Sequence, residues 1–259
     1  MNNIEQIAEN IYRAEVTKQP IEPIRTFFPN ERDIDAAYNI QQLVTQKKLA
    51  KGAKIIGKKI GLTSFAVQKQ LGVDEPDFGI LTEDMLIKNN GSISSENLIQ
   101  PKAEAEIAFV LKEDLETDNL DIKQIKDAID YALVAIEIVG SRIENWNIKI
   151  TDTIADNASA SHFVLGDEKI ELADIDLEEC KMQLFKNGEL VSKGTGKACM
   201  NNPLNAVLWL AQTMQNKGNS LRKGEIILSG ALGPMVQIIK GDKISTKIDE
   251  YNKVGFVVL

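Results

Sequence analysis

The chain has 259 residues, of which 43% are apolar and 26% charged, and these proportions are ordinary for a soluble globular protein with a sizeable core. Its formal net charge of −8 argues against non-specific nucleic-acid binding, which depends on clustered Lys and Arg side chains. No apolar run approaches the roughly 20 residues that span a membrane, and the polar start lacks a signal-peptide core, so we expect a cytoplasmic protein.

The N-terminal part of the chain has the spacing of helices. Apolar residues recur with a helical period from Ile4 to about Val16 and again from Asp33 to about Leu49. The Pro-rich segment "KQPIEPIRTFFPN" separates the two stretches. The pattern therefore predicts a helical N-terminal region over residues 1–52, followed by a β-rich domain over residues 53–259.

The rest of the chain alternates between strand and helix patterns. Strands are predicted in "KIIGKKIGLTS", from Glu104 to Leu111, and in "ALVAIEIVG", "GEIILSG", "PMVQIIKGDKISTKI" and "VGFVVL". Helices are predicted in "FAVQKQLG", from Ile122 to about Tyr131, and in "NPLNAVLWLAQTMQNKG". "VDEPDFGIL" has the composition of a loop, and Asn187-Gly188 signals a hairpin. Long β segments without a regular βαβ period indicate an α+β fold around a mixed sheet.

Two scarce residue types limit the chemistry. Cys180 and Cys199 are the only cysteines and form no CxxC pair, so we predict two reduced thiols and no zinc site. His162 is the only histidine, which disfavours a Ser-His-Asp triad and the multi-histidine metal sites. We interpret His162 as a strand residue and expect proton transfers to fall to Glu, Asp, Lys or Tyr.

Three glutamates lie in segments that should be buried. Glu104 and Glu106 point to the same face of one predicted strand, about 7 Å apart at roughly 3.3 Å per residue. Glu137 lies inside the apolar run from Ala132 to Val139. Buried carboxylates must be neutralised, paired or bound to a cation, and all-oxygen ligation favours Mg²⁺ or Mn²⁺ over zinc. The alternative is that they accept salt bridges from Arg142 or from the lysines of "GKKIG".

Several segments together resemble one known family. "GKKIGLTS", "QLGVDEPDFGIL", "PKAEAEIAFVL", "AIEIVGSRIENWNIKITDTIADNASASHFVLG", "NNPLNAVLWLAQTM" and "GEIILSGALGPMVQIIKGD" are similar to the 2-keto-4-pentenoate hydratase family of the fumarylacetoacetase-like superfamily. The resemblance follows nearly the whole chain in order. It implies an α+β fold with a mixed β-roll core and a small helical N-terminal region, a Mg²⁺ or Mn²⁺ cofactor, and a homo-oligomer.

The resemblance also implies roles for individual residues. The metal ligands of the family correspond to Glu104, Glu106 and Glu137. Its catalytic lysine and aspartate correspond to Lys59, just before "IGLTS", and to Asp77 in "PDFG". Substrate contacts correspond to Leu62 and Ser159.

The residues around Lys59 agree with a functional lysine. Lys59 shares a strand face with Gly57 and Gly61, whose missing side chains leave room for a ligand. Lys58 points to the other face and is interpreted as a structural or surface cation. Beside a metal ion, Lys59 should have a lowered pKa. Asp77 follows a proline in an apparent tight turn, where an aspartate capping its own backbone is an equally common role.

The implied reaction is the addition of water to a 2-hydroxy-2,4-dienoate, giving a 4-hydroxy-2-oxo acid in the meta-cleavage catabolism of aromatic compounds. The site would bind a small 2-oxo or 2-hydroxydienoate acid. The first alternative is 4-oxalocrotonate decarboxylase, which shares the metal motif. The second is a non-catalytic partner subunit that docks on an upstream or downstream enzyme of the pathway, although the intact Glu and Lys set argues against it.

Overall fold

The α+β architecture expected from the sequence is present in the computed structural model, which describes residues 3–28, 30–71, 73, 75–117 and 119–259, without the side chains of residues 70 and 71. The helices in the described residues are α1 (Asn3–Thr17), α2 (Ile34–Ala50), α3 (Phe65–Leu71), α4 (Ile122–Ala128), α5 (Ile150–Ala155) and α6 (Pro203–Asn216). The strands are β1 (Ile55–Gly61), β2 (Asp77–Thr82), β3 (Leu86–Ile87), β4 (Gly91–Ile93), β5 (Lys102–Leu111), β6 (Ile129–Val139), β7 (Ala160–Leu165), β8 (Lys181–Lys186), β9 (Glu189–Thr195), β10 (Ile226–Leu228), β11 (Val236–Gln237), β12 (Lys243–Ile248) and β13 (Val254–Val258).

A mixed eight-stranded sheet, called the main sheet below, carries the strands that matter for function. Its order is β2-β1-β10-β5-β6-β7-β3, and β11 adds to β5 beside the end of β10. The long antiparallel pair β5 and β6 forms the centre, with register from Lys102 opposite Val139 onward. Both strands are buried along almost their whole length, because apolar side chains cover both faces.

A smaller sheet packs against the main sheet. Its order is β4-β13-β12-β8-β9, and β12, β13 and β8 contact β5 and β6. The hairpin predicted at Asn187-Gly188 is confirmed, since β8 pairs with β9 across this turn. Both turn residues have positive φ, 55° and 87°, as a tight two-residue hairpin requires. One continuous apolar core fills the space between the sheets and beneath α4 and α6.

The N-terminal helices share a second apolar cluster with the β-rich part of the chain. Ile7, Ile11 and Ile40 of α1 and α2 pack with Ile143 and Ile154, which follow β6. The Asp33 side chain caps α2 by accepting a hydrogen bond from the Ala36 backbone N–H. The division at residue 52 stays a prediction, and this shared core shows that the helices help to support the region around α5.

Three local predictions were wrong at their boundaries. The helix from Ile122 ends at Ala128, because Ile129 already pairs with Leu111 in the main sheet. Asp77 begins strand β2, so the apparent turn in "PDFG" is the end of a loop and the start of pairing with β1. The segment from Pro234 to Ile248 is interrupted between β11 and β12 by a turn at Gly241, where φ is +92°.

Over the part of the chain that the structure describes, no helix is both long enough and apolar enough to cross a bilayer. Both cysteines are buried and free, as expected. His162 lies in β7, which confirms its interpretation as a strand residue.

Candidate active site

One face of the main sheet gathers the charged residues that the sequence singled out. Glu104 pairs directly with Glu137 across β5 and β6, and Glu106 lies two residues further along the same face. Lys59 of β1 pairs with Gly79 of β2. Asp77 lies two residues before Gly79 on the same face of β2. Side chains from four strands, β1, β2, β5 and β6, therefore meet at one site.

The three glutamates form a buried cluster. One carboxylate oxygen from each of Glu104, Glu106 and Glu137 lies within 4.8 Å of the others. The Gly230 backbone N–H donates a hydrogen bond of 2.8 Å to Glu106 Oε2. Glu106 Oε1 and Glu137 Oε2 are buried and have no hydrogen-bond partner in the described structure. Such orphaned acceptors are the donor atoms that a hard divalent cation requires.

The pKa values of the three glutamates also indicate a cation site. Burial raises the pKa of Glu104 to about 7, and the neighbouring charge of Glu137 adds to this increase. Burial, followed by the charges of Glu137 and Glu104, raises the pKa of Glu106 well above its usual value. Burial also raises the pKa of Glu137. The protein's own groups thus leave the cluster short of positive charge, and a divalent cation would supply it.

The salt-bridge alternative accounts for only one of the three glutamates. Arg142 forms its ion pair with Asp156, and Lys58 forms one of 2.6 Å with Glu225. Lys58 is therefore the structural cation that the sequence suggested. Lys59 Nζ lies 3.2 Å from Glu137 Oε1, which is the ion pair that reaches the cluster.

Lys59 is held between this carboxylate and the backbone. Its Nζ donates a hydrogen bond of 2.9 Å to the Ala158 carbonyl. Burial disfavours the charged ammonium, but the carboxylates of Glu137 and Asp77, and then of the other two glutamates, outweigh it and raise the pKa of Lys59. This increase comes from the four carboxylates around the lysine, and the lowered pKa expected beside a bound metal ion stays a prediction.

The glycines beside Lys59 have different reasons to be glycine. A Cβ on Gly57 would lie 1.9 Å from the Ile226 carbonyl oxygen, so this glycine allows the close approach of β1 and β10. A Cβ on Gly61 would lie 2.2 Å from Asp77 Oδ1 and 3.3 Å from Lys59 Nζ. Gly61 therefore provides the space that these two functional groups share, whereas Gly57 does not open the site to a ligand.

Asp77 is fully buried and faces a hydroxyl pair. Thr153 Oγ1 donates to Asp77 Oδ2 at 3.2 Å and lies 3.4 Å from Ser159 Oγ. Asp77 Oδ1 has no hydrogen-bond partner among the described residues. Burial raises the pKa of Asp77, while Lys59 and the Thr153 hydroxyl oppose the increase. Sequence reasoning missed Thr153, whose only signal was its place in "ITDTIADNAS" near the predicted Ser159.

A strained turn places Ser159 and the Ala158 carbonyl beside Lys59 and Asp77. Asn157, Ala158 and Ser159 have φ values of 55°, 50° and 55°, a left-handed run that is costly outside glycine. The Asn157 side chain accepts from Ile80 N at 2.7 Å and donates to Ile80 O at 2.9 Å, which ties the turn to β2.

A buried ion pair fixes the start of the same turn. The Asp156 carboxylate accepts from the Arg142 backbone and guanidinium, and Arg142 Nη1 donates to the Ala160 carbonyl at 2.8 Å. Burial raises the pKa of Asp156 to about 6, although Arg142 opposes it. These residues hold the turn in place. Arg142 was considered from the sequence only as a partner of the glutamates, and Asp156 was not singled out.

A cavity of about 410 Å³ opens onto this site, which is within the usual range for small-molecule pockets. Its wall includes Lys59, Asp77 and Glu104, together with the predicted substrate contacts Leu62 and Ser159. Glu106 and Glu137, the neighbours of Glu104 in the cluster, are not part of this wall. The structure therefore brings all seven predicted site residues to one place.

Comparison with known proteins identifies the class. Residues 45–258 match the family described as fumarylacetoacetate (FAA) hydrolase C-terminal. The 2-keto-4-pentenoate hydratase of Paraburkholderia xenovorans (strain LB400) is 49% identical over 253 residues, which cover 98% of this chain and 93% of the relative. The 2-hydroxyhexa-2,4-dienoate hydratase of Comamonas testosteroni is 40% identical over 248 residues, which cover 95% and 94%. The chain belongs to the fumarylacetoacetate hydrolase family and, within it, to the 2-keto-4-pentenoate hydratase family.

A solved structure has the same fold. The 4-oxalocrotonate decarboxylase from Pseudomonas putida G7, in complex with magnesium and adipate, superposes with a TM-score of 0.95. It is 32% identical, and the match covers 99% of this chain and 97% of that chain. This confirms the fumarylacetoacetase-like fold. With the buried acidic cluster, the magnesium complex of this neighbour supports a divalent-metal site.

Proposed function

We propose that this chain hydrates 2-hydroxypenta-2,4-dienoate to 4-hydroxy-2-oxopentanoate in the meta-cleavage catabolism of aromatic compounds. The observation that carries the proposal is the buried cluster of three carboxylates with Lys59 and Asp77 in the wall of one cavity. Relatives at 49% identity, aligned over nearly the whole chain, are named 2-keto-4-pentenoate hydratases, and 2-keto-4-pentenoate is the keto tautomer of this dienol.

We assign Mg²⁺ or Mn²⁺ to the cluster, held by Glu104, Glu106 and Glu137. The all-oxygen donor set and the two orphaned carboxylate oxygens fit these hard cations. When bound, the cation supplies Lewis-acid stabilisation of negative charge on the carboxylate and 2-oxygen of the substrate. Without such a charge, the acidic face would repel an anionic substrate.

Lys59 and Asp77 carry the proton transfers. The Lys59 ammonium, which contacts Glu137 and the Ala158 carbonyl, is placed to donate a proton to the terminal carbon of the dienolate. This gives an α,β-unsaturated 2-oxo acid. The proton of the 2-hydroxyl goes to solvent, and Lys59 takes a proton back from solvent afterwards. Asp77 Oδ1, which has no partner in the described structure, is available to accept a proton from the water that adds at the 4-position. Transfer of this proton from Asp77 to carbon 3 then completes the net addition of one water and restores the carboxylate.

The remaining residues position these groups. The Thr153 hydroxyl fixes one oxygen of Asp77, and the Ala158 carbonyl fixes the Lys59 ammonium. Leu62 and Ser159 are assigned to substrate contacts, because both line the cavity beside them.

The second candidate activity is decarboxylation of 4-oxalocrotonate, favoured by the close superposition with the decarboxylase structure. The lower identity of that protein, 32% against 49%, makes it the weaker alternative. The experiment offers purified protein each substrate separately with Mg²⁺ or Mn²⁺ and identifies products by NMR. We expect 4-hydroxy-2-oxopentanoate from the dienol. Carbon dioxide from the diacid without dienol hydration would support the decarboxylase, and inactivity on both with metal bound would support a partner subunit.

Three further features stay predictions. A homo-oligomer should be visible by light scattering after size-exclusion chromatography. A complex with an upstream or downstream enzyme of the pathway should co-elute with that enzyme. A cytoplasmic location should appear in cell fractionation.

A further inference from the structure

The register of β5 and β6 shows where the residues that line the cavity lie relative to the glutamates. Glu104 lies opposite Glu137, and one strand repeat further out Lys102 lies opposite Val139 on the same face. Val139 and Trp146 both line the cavity. Lys102 Nζ lies 4.1 Å from the centroid of the Trp146 ring. The indole therefore lies beside the strand position about one repeat, or roughly 7 Å, from Glu104, on the side away from Glu106.

Trp146 is held firmly in this position. Its indole Nε1–H donates to the Gln100 carbonyl at 2.9 Å. The Gln100 side chain accepts from Asn145 N at 2.7 Å and donates to the Ser141 and Ile143 carbonyls. Asn145 and Trp146 both have left-handed φ values, 58° and 54°, which this network maintains. The tryptophan is thus a fixed wall.

The indole also separates a cation from the cavity. Lys102 stacks its ammonium on the ring and is not part of the cavity wall. Among the described residues of that wall, Lys59 is the only cationic side chain, and its ammonium is already engaged by Glu137 and the Ala158 carbonyl. The wall away from the glutamates is apolar and includes Val139, Ile148 and Met235.

We propose that Trp146 is a specificity-determining residue that screens Lys102 from the cavity and so selects 2-oxo or 2-hydroxydienoate acids whose far end is uncharged. A second carboxylate at that end would lose its hydration against an apolar wall without finding a cation. An alkyl group there gains contact with the indole and its apolar neighbours. The proposal rests on the function proposed above, and it deepens it by naming the substrate class.

The test uses two non-reacting acids of equal chain length. 2-Oxohexanoate ends in a methyl group, whereas 2-oxoadipate ends in a carboxylate, and both share the 2-oxo acid end. Calorimetry with Mn²⁺ present gives Kd for each acid on wild type, Trp146→Phe, Lys102→Met, Trp146→Ala and the double variant of Trp146→Ala with Lys102→Met. The measured quantity is the ratio of the two Kd values, which requires no turnover.

We expect wild type to bind 2-oxohexanoate at least tenfold more tightly than 2-oxoadipate. Trp146→Phe keeps an aromatic ring at this position and should keep the ratio. Lys102→Met alone should leave the ratio unchanged, because the Lys102 ammonium stacks on the indole and does not line the cavity. Trp146→Ala should lower the ratio at least fivefold by exposing Lys102, and the double variant should restore it.

Three results would overturn the proposal. One is equal or tighter binding of 2-oxoadipate to wild type. Another is weaker 2-oxoadipate binding in Lys102→Met alone, since it would show that Lys102 already reaches the cavity, and this variant does not depend on the folding of Trp146→Ala. The third is that neither acid binds. The hydration assay measures turnover and does not depend on these Kd values. An error in the proposed reaction can therefore be told apart from an error in the proposed preference for an uncharged far end.

Discussion

Glu104 and Glu137 occupy directly paired positions on β5 and β6, so two buried carboxylates leave the same face of the sheet side by side. With Glu106 beside them, their repulsion and their burial both favour protonation. The cluster is therefore destabilising by itself and becomes favourable only when a cation balances it. The active site proposed here is built on that arrangement.

Glu106→Gln should separate metal binding from folding. The amide oxygen can still accept from Gly230 N, but one ligand charge is lost, so affinity for Mn²⁺ should fall at least about tenfold and hydration should fall with it. The metal-free variant should be more stable than metal-free wild type, because one buried carboxylate is gone. Calorimetric titration and urea unfolding in EDTA measure both quantities. Unchanged Mn²⁺ affinity would remove Glu106 from the ligand set.

Lys59→Met and Lys58→Met form a matched pair on opposite faces of β1. Lys59→Met should reduce kcat roughly 100-fold or more, the usual scale for a lost general acid. Its Mn²⁺ affinity should be retained, because the ammonium contacts Glu137 without being a ligand. Lys58→Met breaks the ion pair with Glu225 and should lower stability while leaving kcat within a few-fold. Steady-state kinetics would assign the role to Lys58 if the two kcat effects were reversed.

Thr153→Val should show that the hydroxyl positions Asp77. Valine keeps the volume but cannot donate to Asp77 Oδ2, and a lost hydrogen bond to a charged group corresponds to about a 10-fold to 100-fold decrease in kcat. KM should change little. The acidic limb of the pH profile of kcat should move to higher pH, because the Asp77 carboxylate loses a hydrogen bond that stabilises its charged form. Thr153→Ser should recover most of the activity. A serine variant as impaired as the valine variant would indicate a packing effect.

His162 should make the protein sensitive to mild acid. Burial, with the nearby Lys18 charge, lowers the pKa of His162 from 6.5 to about 4. Below pH 6.5 the unfolded chain binds a proton at His162, whereas the folded chain does not bind it until the pH approaches 4. Stability is therefore lost as the pH falls from about 6.5 toward 4. Relative to His162→Gln, the unfolding free energy of wild type should fall by about 2 kcal/mol between pH 7.5 and pH 5. A difference between the two proteins that stays constant from pH 7.5 to pH 5 would contradict this, because it would show that folding does not shift the pKa of His162.

Much of this site could be predicted because its residues break local rules. Carboxylates inside apolar strands, such as Glu137 in "ALVAIEIVG", demand a partner, and strand periodicity placed Glu104 and Glu106 on one face. The resemblance supplied Lys59 and Asp77. The Asn187-Gly188 hairpin was predictable because the turn needs two residues with positive φ.

The missed features depend on contacts between distant segments. Nothing in the local sequence shows that Thr153 meets Asp77, or that Arg142 turns to Asp156 and away from the glutamates. The local sequence does not show how many carboxylates the fold brings around Lys59, and these carboxylates raise its pKa when no metal ion is bound. The overlong helix from Ile122 was wrong because β5 pairs with Ile129.

The most direct test of the central claim is hydration of 2-hydroxypenta-2,4-dienoate in heavy-oxygen water with Mg²⁺ or Mn²⁺, with Glu106→Gln and EDTA-treated wild type as controls. Reduction of the 2-oxo group after quenching removes label that exchanges at that carbon. We expect the 4-hydroxyl group of the product to carry one heavy oxygen. We expect metal-loaded wild type to form this product much faster than Glu106→Gln or EDTA-treated wild type. A product without label at that position, or labelled product formed equally fast in EDTA, would contradict it.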